Sequence, residues 1–264
     1  MRNPLDEAIL ACPFNPAAWR KIDEVPFDFE RRRVSVLVEH EGRRQLIVKG
    51  APEDVPRLSR RYQTATKEER PLDSETRDRF ATTFASLGAQ GYRALGIAIR
   101  DVDPTHSSAA VSDECDLVFT GYAVFLDPPK ITAGATIQAL AASGVTVKVL
   151  TGDNELVARH VFAEIGIPLT GALSGDALNR LSQEALIGQL PRVNLFCRVN
   201  PQQKLRVLHA LKQTGHVVGF MGDGINDAPS LHAADVGISV DGAADVAREA
   251  ACEDNKCPHK RTER

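Results

Sequence analysis

The stretch Val217-Val218-Gly219-Phe220-Met221-Gly222-Asp223-Gly224-Ile225-Asn226-Asp227-Ala228-Pro229 decides the fold class. A short apolar run breaks into glycines and carboxylates, and a proline then opens a helix, which is the grammar of a buried strand feeding a helix in an α/β sheet. Five specified residues, Gly-Asp-Gly-x-Asn-Asp, recur by chance about once in several million start positions. The chemistry of the pattern is legible. Glycines let the backbone approach a ligand, Asp223 and Asp227 offer hard oxygen ligands suited to Mg²⁺, and Asn226 can donate an amide hydrogen to a phosphoryl oxygen. A dinucleotide fingerprint fails at the third glycine, where Asp227 would set negative charge against a pyrophosphate. Side chains so rich in oxygen repel one another at one strand end unless a cation or a lysine neutralises them.

Working outward, the same grammar recurs. Val147-Lys148-Val149-Leu150 runs into Thr151-Gly152-Asp153-Asn154, where a hydroxyl and a glycine amide at a strand-to-helix turn can cradle a phosphoryl oxygen. That turn is also good N-cap chemistry. Leu195 to Cys197 runs through Arg198 to Lys204, a lysine on the first turn of the next helix. Strands over 145–150, 195–197, 217–221 and 236–239 alternate with helices near 133–142, 154–165, 182–189, 202–213 and 243–250, predicting a doubly wound parallel sheet. The first 120 residues have another rhythm. Asn3 and Pro4 open a short helix through Leu10, and a Pro-rich stretch follows to Pro26. Val34, Val36 and Val38 alternate with Ser35 and Leu37, Glu41-Gly42 turns, and Leu46-Ile47-Val48 returns as a hairpin. A helix from Asp73 carries Phe80, Phe84 and Leu87, and Ala94 to Ile99 is the next strand. The fold class is therefore α/β, with a mixed antiparallel α+β domain over 1–120, a parallel-sheet domain over 121–251 and a disordered polar tail over 252–264.

Composition narrows the function classes. The chain of 264 residues is ample for a hydrophobic core, and its net charge of -3 offers no basic field for nucleic acid. No run approaches a membrane span and no signal peptide opens the chain, so a soluble, cytosolic protein is expected. Five scattered cysteines suit a reducing compartment; Cys252, Cys257 and His259 offer three donors without a fourth for zinc.

Thr151-Gly152-Asp153, Lys204 and Gly222 to Asp227 resemble the second, third and fourth motifs of the haloacid dehalogenase-like superfamily. With Asp127-Pro128-Pro129-Lys130 in this order, they resemble the P-type cation-transporting ATPases. Upstream, Lys49-Gly50-Ala51 is similar to the lysine motif that contacts ATP, Phe27 to the aromatic that stacks on adenine, and Glu7 and Arg93 to polar residues around that pocket. The blocks at Phe27-Asp28-Phe29 and Asp235 to Asp241 look most like the bacterial magnesium-importing pumps. The resemblance implies a cytosolic nucleotide-binding domain followed by the carboxy-terminal part of a phosphorylation domain, with ATP and Mg²⁺ as cofactors. It implies that Thr151, Lys204, Asn226 and Asp227 act on the phosphoryl group and that Asp223 and Asp227 hold the metal. Glu7, Phe27, Lys49, Gly50, Arg93, Asp127, Gly152, Asp153 and Arg198 are the implied nucleotide-binding residues. The implied partners are the actuator domain, the membrane helices and an Asp-Lys-Thr-Gly-Thr segment of a parent in the cell membrane.

That motif, which bears the family's phosphorylated aspartate on a central strand, occurs nowhere in the sequence, so the parallel sheet is expected to lack a middle member and the chain its nucleophile. Two other readings stay open. Asp101-Val102-Asp103-Pro104-Thr105 follows an apolar strand as in soluble phosphatases of the superfamily, with Asp101 attacking and Asp103 as acid and base. The third is a regulatory ATP-binding module without catalysis.

Overall fold

A computed structural model describes residues 19–28, 30–222 and 224–239. The helices expected near 3–10 and 243–250, the tail from Cys252, and the site residues Glu7 and Asp223 lie outside the described residues. The chain divides into two compact units, Met1–Pro128 and Pro129–Arg264.

The first unit is built on a hairpin that the sequence specifies closely. Strands β2 (Arg33–His40) and β3 (Arg43–Gly50) pair antiparallel from Arg33 opposite Gly50 to His40 opposite Arg43. Their turn is Glu41-Gly42, with φ of 49° and 76°. Two successive positive φ values match the right-handed twist of the flanking strands, and glycine takes one of them without strain. Around the hairpin lie β1 (Arg20–Asp28), β4 (Ser59–Gln63), β5 (Glu69–Pro71), β6 (Tyr92–Val102) and β7 (Leu117–Leu126), in the order β1-β2-β3-β6-β7-β4-β5. All neighbours are antiparallel except β4 with β7.

Period-two alternation gives this sheet two different faces. Leu37, Leu46, Val48, Ala98 and Phe119 point to one face and form the core with Val55, Leu72 and Leu117. Helix α1 (Ser74–Ala89), capped by Asp73, which accepts from the Thr76 amide at 2.8 Å, closes it. Its Phe80 meets Phe119 edge-on at 4.9 Å and Tyr62 at 5.6 Å. The opposite face carries Val34 and Val36, Ile47 and Lys49, and Ile97 and Ile99, in register and half-buried.

Two expectations change here. The described end of the Pro-rich stretch, from Arg20, forms β1, and Pro26 is tolerated because β1 is an edge strand whose register slips between Val25 and Asp28. The boundary expected at 120 falls inside β7, whose ladder with β6 runs on to Leu126 opposite Tyr92. The units part instead at Pro128/Pro129.

In the second unit the described strands pair parallel, in two pieces. Strands β8 (Val149–Leu150), β9 (Ala172–Ser174) and β10 (Leu195–Cys197) form one sheet in the order β8-β10-β9. Strands β11 (Gly219–Met221) and β12 (Val236–Ile238) form the other. Between and around them run α2 (Ala133–Ala142), α3 (Glu155–Glu164), α4 (Gly175–Arg180), α5 (Gln183–Gln189), α6 (Pro201–Gln213) and α7 (Ala228–Ala233). The strand expected from Val145 is laddered over Val149 and Leu150 alone, because among the described residues β8 has a partner on one side only. Helix α2 is apolar yet buries none of its residues, and Val217 and Met221 are 84% and 66% exposed. Apolar surface of that kind lacks the neighbour it is patterned for.

Helix α6 holds the two pieces together. Its Val207 and Ala210 pack with Leu178, Leu186 and Phe196 beside the three-stranded sheet. Its Lys212 ammonium donates to the Ala233 carbonyl at 3.0 Å and pairs with Asp235 at 2.9 Å, beside the two-stranded one. No helix among the described residues is long and apolar enough to cross a membrane. Because β8 and β11 each have a strand neighbour on one side only among the described residues, limited proteolysis should cut within 129–239 first and leave the seven-stranded unit as the resistant product. Equal resistance of both units, read by mass spectrometry over a time course, would contradict the open-edge account.

Candidate functional site

Each unit carries one cluster of the residues singled out in the sequence. In the first, β3 places Lys49 on the half-buried face, with Val34 on one neighbouring strand and Ile97 on the other directly across from it. Arg93 lies four residues before Ile97 on β6, so it shares that face about 13 Å away and stands opposite Phe125. Its guanidinium donates to the Asp127 carboxylate at 2.6 Å, which brings two of the expected residues together. Phe27 is 55% exposed at the register slip of β1. Gly50 has no room for a side chain, since a Cβ there would sit 2.4 Å from Arg33 Cβ. The result is an open, apolar shelf with an exposed ring at one edge and two cationic side chains on its surface. A flat, anionic ligand fits that chemistry.

The second cluster sits at the carboxyl ends of the parallel strands. Thr151 closes β8, its hydroxyl donating to Asp153 Oδ2 at 3.0 Å and accepting from the Asp153 amide at 3.1 Å. Asn154 caps α3 through the Leu156 amide at 2.7 Å, so the turn also does the capping its sequence allows. A Cβ on Gly152 would meet nothing within 4 Å, so the turn is open on that side. The Thr151 turn is laced to the next strand end, with the Arg198 amide donating to the Asp153 carbonyl at 3.0 Å and the Val199 amide to that of Thr151 at 3.1 Å. Arg198 itself takes a φ of 52°. Asn200 and Gln203 then form a reciprocal capping box that starts α6.

One turn into α6, the Lys204 ammonium meets Asp227 Oδ1 at 2.7 Å, with both side chains under 15% exposed. The lysine that the crowded carboxylates demanded is therefore in place. Gly222 is required there, because a Cβ would lie 2.5 Å from Asp227 Cβ. Asp227 Oδ2 accepts from the Gly224 amide at 3.4 Å, and Asn226 is exposed beside it. Among the described residues no group of three or more His, Cys, Asp or Glu could hold a metal. Of the two expected metal ligands, Asp227 is already neutralised by Lys204 and Asp223 lies outside the described residues, so the described donors alone make a poor Mg²⁺ site.

The surroundings of a buried thiol and of the Asp101–Asp103 carboxylates do not favour nucleophile or acid chemistry. Burial and the neighbouring Glu155 push the Cys197 thiol up to about 11, far from thiolate chemistry. Asp101 sits within β6, which is antiparallel to both neighbours, and is bound by Gln45 at 3.0 Å. It therefore does not stand at the end of a parallel strand, as a soluble phosphatase requires. Hydrogen bonds from the Thr105 hydroxyl and amide hold the Asp103 carboxyl below its ordinary value, the wrong direction for a general acid.

One buried group belongs to none of the sequence motifs. Glu114 has no exposed side-chain surface and binds Arg31, Arg33 and Ser35. Burial pushes its carboxyl up, and hydrogen bonds from Ser35, Arg33 and Arg31 outweigh that and leave it below the ordinary glutamate value.

One unit thus carries a shelf whose chemistry suits a flat anion, and the other carries polar turns at the ends of parallel strands. Residues 13–132 match the family model described as "P-type ATPase, cytoplasmic domain N". The chain is 45% identical over 258 residues to "Magnesium-transporting ATPase, P-type 1" of Salmonella typhimurium strain LT2, an alignment covering 95% of this chain and 28% of that protein. It is 44% identical to the protein of that name from Escherichia coli K12, with 95% and 29% covered. To the "Calcium-transporting ATPase" of Bacillus subtilis strain 168 it is 32% identical, with 90% and 27% covered. The chain belongs to the P-type ATPases, and it spans less than a third of the length of these relatives.

Lys204→Ala should lower stability by about 3 kcal/mol in urea denaturation, since it strands a nearly buried carboxylate. Adding Asp227→Asn should recover part of that loss; strictly additive losses in the double variant would show that the two groups do not act as a pair.

Proposed function

We propose that this chain supplies the nucleotide-binding domain and the carboxy-terminal part of the phosphorylation domain of an ATPase that couples ATP hydrolysis to Mg²⁺ transport across the cell membrane. The observation that carries the reading is the pairing of Lys204 with Asp227 at the end of one parallel piece and the Thr151 turn at the end of the other, with an unpaired strand edge on each among the described residues. A nucleophile delivered between those two ends would meet a hydroxyl, an ammonium and an amide, groups able to bind phosphoryl oxygens in exchange for their present protein partners. The Asp-Lys-Thr-Gly-Thr segment that the family resemblance implies has the chemistry for that place, and the sequence of this chain does not contain it.

Each residue then has a task. The Phe27 ring covers the base, while Lys49 and Arg93 bind polar groups of ATP across the shelf. Gly50 lets Arg33 pack close behind the strand beside Lys49, and Asp127 orients Arg93. Thr151 and Asn226 donate to phosphoryl oxygens, and the Gly152 turn leaves space for them. Lys204 holds Asp227 in place and offsets developing negative charge. Asp223 would be the residue to hold Mg²⁺, which would supply charge neutralisation at the phosphoryl group, and a single carboxylate without phosphate would bind it weakly. Without the aspartyl nucleophile the chain binds ATP and does not hydrolyse it.

ATP affinity should be weaker than about micromolar, because the shelf is open and no P-loop encloses the phosphates. Titration followed by NMR should give a further loss of about tenfold in Phe27→Ala and Lys49→Ala; unchanged binding in both overturns the pocket assignment. Incubation with γ-labelled ATP and Mg²⁺ should leave no hydroxylamine-sensitive label on the protein. Label that vanishes in Asp101→Asn would instead support a soluble phosphatase.

A further inference from the structure

The buried Glu114 has no task in the reading above, yet its contacts converge on both walls of the nucleotide shelf. Its Oε1 accepts from Arg31 Nη1 at 2.7 Å and from the Ser35 hydroxyl at 2.5 Å, and its Oε2 accepts from Arg33 Nε at 2.6 Å. From there the contacts reach outward in two directions. Arg31 uses its other terminal nitrogen to donate to the Pro26 carbonyl at 2.7 Å, one peptide before Phe27. Arg33 stands directly opposite Gly50 in the ladder and fills the space a Cβ would need there, one residue from Lys49. Between the two arginines, the Arg32 carbonyl accepts from the Ala51 amide at 2.9 Å, closing the loop onto the Lys49-Gly50-Ala51 segment.

The loop that Glu114 grips is also tied by the Arg32 amide to the Asp28 carbonyl at 2.7 Å, by the Arg32 guanidinium to Asp54 at 2.7 Å and by Arg33 Nη1 to the Arg31 carbonyl at 3.1 Å, and Glu114 is the group that binds the Arg31 and Arg33 side chains together. Asp28 accepts from the Glu30 and Arg31 amides at 2.9 and 2.7 Å, and Arg32 takes a φ of 52°, a conformation that a non-glycine residue keeps only when its surroundings impose it. Glu114 is itself held from behind, because Arg100 donates to the backbone carbonyls of Asp113 at 2.9 Å and Cys115 at 3.4 Å. A single wholly buried carboxylate between two guanidiniums is a rigid anchor. Removing its charge leaves two like charges facing each other at low exposure.

We propose that Glu114 is a positioning residue for nucleotide binding: through Arg31 it fixes the carbonyl preceding Phe27, and through Arg33 it fixes the Lys49-Gly50 segment, setting the width of the shelf. This rests on the shelf being the ATP site. Glu114 touches no nucleotide under this assignment, so its effect must come through the loop.

The test compares ATP affinity with stability in the whole chain. Glu114→Gln keeps the shape and loses the charge, and Arg31→Lys leaves the Glu114, Arg33 and Ser35 contacts intact while its single ammonium cannot span both Glu114 and the Pro26 carbonyl. Leu72→Ala, in the core and outside the loop, is the control for general destabilisation. Both loop variants should bind ATP about tenfold more weakly by NMR titration at a temperature where all three variants are folded, and Leu72→Ala should bind as the parent chain does. Should Glu114→Gln fail to fold, Arg31→Lys decides the matter. Parent-like affinity in Arg31→Lys, or an equal loss in Leu72→Ala, overturns the proposal. If Phe27→Ala weakens ATP and the loop variants do not, the positioning role alone falls; if Phe27→Ala has no effect, the shelf reading falls and the positioning role with it.

Discussion

Backbone hydrogen bonding at strand edges governs this molecule. Every amide and carbonyl of a strand needs a partner, and a sheet that ends in mid-pattern exposes both those groups and the apolar side chains meant to be covered. The first unit meets the requirement with seven strands, a bulged proline-bearing edge and a short polar strand at the other end. In the second unit the parallel strands form two pieces, and β8 and β11 each have one described neighbour. The exposed Val217 and Met221 and the uncovered apolar helix α2 belong to the same deficit.

What holds the second unit's strand ends together is polar. The Thr151 turn is stitched to the start of α6 by main-chain hydrogen bonds, and α6 is stitched to the other piece by Lys204 with Asp227 and by Lys212 with Asp235. A lysine that neutralises a carboxylate at a sheet end organises the site before any ligand arrives, which is how charge-stabilising sites avoid reorganisation at the moment of reaction. In the first unit a buried carboxylate plays the comparable part, with Glu114 between Arg31 and Arg33.

Local chemistry was readable in the sequence where it was self-contained. The β2–β3 hairpin follows from valine alternation and a Glu41-Gly42 turn, and α1 from its Asp73 cap and its phenylalanine spacing. The need for a cation or a lysine beside the crowded oxygens is legible in the sequence, and the structure pairs Lys204 with Asp227. Nonlocal features were not readable. β1 was hidden because Pro26 reads as a breaker unless the strand is known to be an edge. The domain boundary was set eight residues early because β7 carries the apolar run of a core strand, and its partner β6 lies across a loop. Glu114 gives no sequence signal, as an acidic residue among Ser112, Asp113 and Asp116 reads as a solvated turn; its two arginine partners are about eighty positions away. Asp101 misled for the converse reason, because an apolar strand followed by acidic residues does not reveal whether its neighbours run parallel.

The central claim is that the two parallel pieces are halves of one sheet awaiting a strand that ends in an aspartate. Hydrogen exchange of the whole chain, with and without a synthetic peptide of apolar residues ending in Asp-Lys-Thr-Gly-Thr, tests it most directly. The account predicts slower exchange at Val149–Leu150 and Gly219–Met221 together when the peptide is present, and no such change with a scrambled peptide of the same composition. Protection at neither strand, or at both strands already in the chain alone, would contradict it.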